Sequence, residues 1–221
     1  MLFRSVCYPT AAALASSFDR DVMRQLGEAL GQECQAENVA MLLGPGLNIK
    51  RSLLCGRNFE YFSEDPYLAG EMGAAYVQAL QSKGIAACAK HFACNDQETL
   101  RMSGSSNLDE RTLREIYLPA FETVVKKGKT RSLMCAYNTI NGTFCSENKM
   151  LLTNILRDEW KSDAFVVTDW GAIKDQAKGV AAGLDLEMPG GPNATGEEIV
   201  EAVQNGTLDE ADLDKVVLRL L

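Results

Sequence analysis

Apolar runs that alternate with helix-patterned segments predict an α/β chain built on a parallel sheet, and three observations sharpen that to an incomplete (β/α)8, TIM-type barrel. About six short apolar runs occur, each followed by a helical pattern or a long loop. Arg57, Lys90, His91, Tyr137, Asp169 and Glu187 all fall at or just past the C-terminal ends of such runs, so their side chains would converge on one rim. The length of 221 residues falls short of the about 250 that a closed eight-stranded barrel needs, leaving about six of the eight strands. An open doubly wound sheet is the rival; convergence on one rim favours the barrel.

Taken in order, Leu2 to Tyr8 reads as a strand with nothing in front of it, a first hint of truncation. Asp19 is a plausible N-cap for a helix through about Ala36, with Val22, Leu26 and Leu30 on one face. A strand at Val39 to Leu43 is broken by Gly44-Pro45-Gly46, and a long polar loop runs from Leu47 to Asp65. Pro66 sits where a helix can start, Tyr67 to Lys83 has helical periodicity, and Gly84 stops it. The strand Ile85 to Ala89 runs into Lys90-His91. Asp109 caps a helix to Lys126-Lys127, and Ser132 to Ala136 is a strand leading into Tyr137-Asn138. A helix from Leu151 to Trp160 precedes Ala164 to Val167, a β-branched run with the look of a strand buried on both faces. A short strand at Asp185 to Met188 and two closing helices, Gly196 to Gln204 and Glu210 to Leu221, complete the reading.

Composition narrows the function. The chain is 46% hydrophobic and 24% charged, ordinary for a globular domain, and its net charge of -8 carries no basic patch for a nucleic acid or an anionic membrane. No apolar stretch is long enough to span a bilayer, and Met1 to Pro9 shows no secretory signal. Seven scattered cysteines without a CxxC pair and a single histidine argue against a metal site, and nothing calls for a cofactor. Cysteines that sit in or beside apolar runs suit a reducing, cytoplasmic compartment. The sequons at Asn141, Asn193 and Asn205 then read as turn residues.

Asp169, at the end of the most apolar run, has two readings from spacing alone: an N-cap for a helix near Ala172, or a catalytic carboxylate. Lys90 and His91 offer a cation and a hydrogen-bond donor side by side, or a structural pair holding Asp96 or Glu98. Arg57 can bridge two hydroxyls or simply be solvated, and Trp170 can wall the apolar face of a sugar ring or fill the core. A rim of acids, cations, amides and aromatics without a phosphate loop suits carbohydrate.

The segments LGPGLNIKR, CGRNFEYFSEDPYLAGE, KHFACNDQE, LMCAYNTING, CSENKMLLTNILRDEW, FVVTDWGA and AGLDLEMPG resemble, in the same order, the N-terminal barrel domain of glycoside hydrolase family 3. The resemblance implies a single domain over residues 1–221. It implies a retaining, exo-acting β-glycosidase for β-glucosides or β-xylosides, with Asp169 as nucleophile beside Thr168, where the family often has serine. Arg57, Lys90, His91, Arg101 and Tyr137 match positions that hold the glycone hydroxyls or flank the nucleophile, and Trp170 matches the adjoining wall. KHFACNDQE looks like the β-glucosidase branch; the hexosaminidase branch puts a histidine dyad in this loop, and no second histidine exists here.

Two departures qualify the resemblance. The family usually has an earlier Asp-Gly-Pro segment that binds the glycone, and this branch takes its acid/base glutamate from a second, downstream α/β domain; neither is expected within this chain. Retaining hydrolysis needs two carboxylates roughly 5 to 5.5 Å apart. The alternative is therefore a sugar-binding domain that depends on a partner domain or chain for turnover.

Overall fold

A computed structural model describes residues 6–190 and 196–221. Helix α1 (Ala11–Ala15) is capped by Thr10. Helix α2 (Arg20–Ala36) starts where expected, the Asp19 carboxylate accepting the Asp21 N–H at 2.8 Å. Strand β1 (Met41–Leu42) leads through the polar loop to α3 (Pro66–Ser82), capped by Asp65 with proline at the position that needs no N–H. Strand β2 (Ala86–Phe92) is followed by the two-residue β3 (Ser105–Ser106).

Asp109 caps α4 (Glu110–Thr112), which continues as a wide, π-type segment, Leu113–Tyr117, into α5 (Pro119–Lys126). The single helix expected here changes its winding for a local reason. Pro119 has no N–H and its ring crowds the carbonyl four residues back, and the Leu118 N–H reaches five residues back to the Leu113 carbonyl at 2.9 Å.

Strand β4 (Ser132–Cys135) is followed by β5 (Thr139–Ile140) and β6 (Thr143–Phe144), an antiparallel hairpin turning on Asn141-Gly142. Both turn residues have positive φ, 50° and 86°, the geometry that favours Asn-Gly. A second wide-turned helix, Met150–Glu159, precedes β7 (Phe165–Thr168), after which come α6 (Gln176–Ala182), α7 (Glu197–Gln204) and α8 (Glu210–Leu220).

The main sheet is parallel and runs β1-β2-β4-β7, in chain order with no reversal. A doubly wound sheet would reverse at a switch point, so these strands follow the barrel succession, as an open arc. Leu186 extends it by a single parallel bridge to Val167 in place of the strand expected from Asp185 to Met188. The cause is Asp185, whose buried carboxylate takes the Val166 N–H at 2.7 Å, a donor that a regular neighbouring strand would pair through its backbone. Of the expected strand at Leu2 to Tyr8, residues 2–5 lie outside the described residues and 6–8 are not in a strand.

The strands alternate their side chains between two faces. Ala87, Ala89, Leu133, Cys135 and Val166 join the main core beneath the helices, while Cys88, Met134 and Val167 form an inner cluster with Met41, Phe165 and Met188. On the helical side α2 packs on α3 and α3 on α5. Glycines allow the close approach: a Cβ on Gly27 would lie 2.6 Å from the Tyr76 carbonyl oxygen, and one on Gly73 would lie 2.8 Å from Val124. A satellite cluster of Val180, Ala202, Leu208 and Val216 binds α6, α7 and α8 together.

Candidate active site

The C-terminal ends of β2, β4 and β7 meet at one edge of the sheet. Lys90 pairs with Met134 and Phe92 with Cys135, so the register slips at His91, which stands as the extra residue of a bulge. Asn48 clamps that bulge, donating to the His91 carbonyl at 2.9 Å and accepting its N–H at 2.8 Å. The imidazole is only 1% exposed. At the end of β7, the Asp169 N–H bonds to the Cys135 carbonyl at 3.3 Å, bringing its carboxylate to the mouth of β4.

Asp169 does not cap a helix. The nearest following helix is α6, whose N-cap is Asp175, accepting from the Lys178 N–H at 2.9 Å. One Asp169 oxygen accepts the Trp170 N–H at 2.8 Å; the other lies 3.5 Å from Nε2 of His91.

From Asp169 the contacts run in a closed ring. Nδ1 of His91 lies 3.0 Å from the Tyr61 hydroxyl, and the Asn95 amide reaches both that hydroxyl, at 3.4 Å, and Glu98, at 3.2 Å. Glu98 accepts from Arg101 at 2.6 Å, and the Arg101 guanidinium lies 4.8 Å from the Tyr137 ring centroid. The Tyr137 hydroxyl donates to the Trp170 carbonyl at 3.0 Å, closing the ring beside Asp169. Arg57 and Lys90 stand against one acceptor, Oε1 of Glu60, at 2.5 and 3.7 Å.

Electrostatics separate the roles. Burial, with Arg57, Lys90 and Arg101 nearby, holds the His91 pKa well below the usual histidine range, so the ring is neutral. Burial and the Asp169 carboxylate push the Tyr137 hydroxyl up, keeping it a donor. Three cations, a neutral imidazole and a phenol gather with the carboxylates of Asp169, Glu60 and Glu98, a mixed set of donors and acceptors suited to a ligand that presents hydroxyl groups.

The sequence-predicted Arg57, Lys90, His91, Arg101, Tyr137, Asp169 and Trp170 are thus brought together, Trp170 standing 43% exposed at the edge. Glu187 is placed otherwise, accepting from Gln176 at 2.6 Å. Sequence reasoning missed Asn48, Glu60, Tyr61 and Asn95 as site residues. A cavity of about 570 Å³ adjoins the site at Asn95, lined also by Arg51, Asp96, Tyr117 and Asn138 among others, and neither Asp169 nor His91 lines it. Among the described residues, no group of three or more His, Cys, Asp or Glu side chains could hold a metal, and no helix is long and apolar enough to cross a membrane.

The whole chain, residues 1–221, matches the family described as glycosyl hydrolase family 3 N terminal domain. The chain belongs to glycoside hydrolase family 3. It is 57% identical over 217 residues to the thermostable beta-glucosidase B of Acetivibrio thermocellus, a match covering 98% of this chain and 29% of that protein. Identity to the exo-alpha-(1->6)-L-arabinopyranosidase of Bifidobacterium longum is 49%, covering 96% and 28% of the two chains. The beta-glucosidase 3B of Thermotoga neapolitana in complex with glucose superposes with a TM-score of 0.94 at 45% identity, covering 97% of this chain and 31% of that one. This family 3 chain therefore spans under a third of the length of these relatives.

Proposed function

We propose that the chain carries the glycone pocket and nucleophile of a retaining, exo-acting β-glycosidase for terminal β-glucosides or related pyranosides. The observation that carries this reading is the setting of Asp169: one oxygen tied down by the Trp170 N–H, the other facing a neutral imidazole, with Lys90, Arg57 and Arg101 grouped around that imidazole. A carboxylate so held is oriented, as attack on an anomeric carbon requires.

In the first step a bond forms between an Asp169 oxygen and C1, and the bond from C1 to the leaving oxygen breaks. That oxygen takes a proton from a general acid, and water then hydrolyses the glycosyl ester with the same residue as base. The two glutamates of the site are not free to serve as that acid. Glu98 is occupied by Arg101 and Asn95, and Glu60 by Arg57 and Lys90. The proposed source is a second α/β domain or chain, as the family resemblance implies. Arg57, Lys90, His91, Arg101 and Tyr137 hold hydroxyls of the non-reducing sugar or flank the nucleophile, His91 among the latter, and Trp170 walls the sugar's apolar face.

The beta-glucosidase names of relatives, and the glucose complex of the Thermotoga neapolitana enzyme, support this substrate class. In the full-length protein, Asp169→Ala is expected to lower turnover by about 10³-fold or more, worth about 4 kcal/mol of barrier, with unchanged folding. Near-normal turnover by that variant overturns the assignment.

A further inference from the structure

We propose that Glu98 sets the tautomer of His91 through Asn95 and Tyr61, so that the imidazole presents its Nε2–H to Asp169. The consequence for catalysis rests on the reading of Asp169 as nucleophile; the geometry does not.

A carboxylate can only accept, so the Asn95 amide atom 3.2 Å from Glu98 is its NH2 group, which also reaches the Tyr61 oxygen at 3.4 Å. In that orientation Oδ1 of Asn95 is buried without a hydrogen-bond partner among the described residues, so the contact with Glu98, not one at Oδ1, sets the amide. With an N–H directed at its oxygen, Tyr61 turns its own O–H to its other neighbour, Nδ1 of His91, at 3.0 Å. Nδ1 is then the bare, accepting nitrogen, and a neutral ring carries its one proton on Nε2, 3.5 Å from the Asp169 oxygen.

The other end of the chain makes the same demand, because a lone pair on Nε2 would face a carboxylate. The opposite tautomer would set that repulsion and also leave the Tyr61 hydroxyl without its acceptor. Tyr61 and His91 are 0% and 1% exposed, so such a loss is not made good by solvent. Glu98, Asn95 and Tyr61 are therefore positioning residues that act through His91. The N–H they fix faces the Asp169 oxygen that the Trp170 N–H does not hold.

The chain has one histidine, so nitrogen-15 labelling of histidine gives a single imidazole to observe. The expected spectrum at neutral pH shows an unprotonated Nδ1 and a protonated Nε2. Tyr61→Phe and Glu98→Ala are each expected to reduce that preference at least tenfold, while Glu98→Gln, whose carbonyl still accepts from Asn95, retains it. A wild-type ring protonated on Nδ1, an even mixture, or a preference unmoved by both disruptive variants overturns the proposal. Should either variant not fold, Asn95→Ala, which cuts the same link between Glu98 and Tyr61, takes its place with the same expected loss of preference. Retention of turnover by Asp169→Ala alongside the expected spectrum would remove the nucleophile assignment and leave the tautomer proposal standing.

Discussion

Nε2 of His91 lies 3.5 Å from Oδ2 of Asp169, a contact between the bulge of β2 and the end of β7, 78 residues apart in sequence. A buried cation there would form an ion pair with the carboxylate and blunt its nucleophilicity. The neutral ring, desolvated and flanked by Arg57, Lys90 and Arg101, can donate one hydrogen bond and no charge.

His91→Ala and Lys90→Ala should therefore raise KM and lower kcat together: on the proposed reading the first removes the N–H that faces Asp169 and the second a cation that holds a sugar hydroxyl. Steady-state kinetics on an aryl β-glucoside measure both effects. Rescue of His91→Ala by added imidazole would instead identify His91 as a proton-transfer residue.

The isolated 221-residue chain should be slow with an activated aryl β-glucoside and almost inert with cellobiose. Glu98, an acid in the loop after His91, is spent on Arg101 and Asn95, and the loss of a general acid costs about 10²- to 10⁴-fold, most for leaving groups that need a proton. Comparing the two substrates at equal enzyme concentration tests this. Brisk cellobiose hydrolysis would place the acid inside the chain.

Asp96, lining the cavity that adjoins the site, is pushed up by burial to about 7, against the pull of Arg51. An acid raised in the native state contributes stability at pH below its unfolded value, and that contribution fades as pH rises through about 7. Asp96→Asn should therefore gain stability relative to wild type on going from pH about 5 to pH about 8, read as a widening difference in Tm. A difference constant across that range would contradict the shift.

Asp185 anchors α8 to the sheet, its fully buried carboxylate meeting Arg157 at 2.9 Å and Arg219 at 2.5 Å as well as the Val166 N–H. Asp185→Ala strands the largely buried Arg157 and should cost about 3–5 kcal/mol, measured as a lower urea midpoint. A change under about 0.5 kcal/mol would mean that the ion cluster is not holding the helix.

The alternation of elements was legible in the sequence because several helix starts can be read locally: Asp19 and Asp109 cap theirs as expected, and Pro66 opens α3 behind the cap Asp65. The rim was legible because polar residues follow apolar runs. What escaped were residues whose role lies in cross-loop contact: Tyr61 reaches His91 across 30 positions and Asn95 across 34, and in sequence Tyr61 looks like part of the apolar Phe59–Phe62 stretch. Asn141-Gly142 was readable as a hairpin turn, although the sequon it also forms draws the eye first. The strand at Asp185 failed because a side chain took the place of a backbone partner.

The central claim is that Asp169 forms a covalent glycosyl ester, and trapping that ester tests it most directly. The full-length protein is treated with a 2-deoxy-2-fluoro-β-glucoside bearing an activated leaving group, which slows hydrolysis of the intermediate, and the digested protein is mapped by mass spectrometry. The account predicts one added fluoroglucosyl group on the peptide containing Asp169, absent in Asp169→Asn. An adduct on another carboxylate, or turnover of the unmodified glucoside with inversion at the anomeric carbon and no adduct, would contradict it.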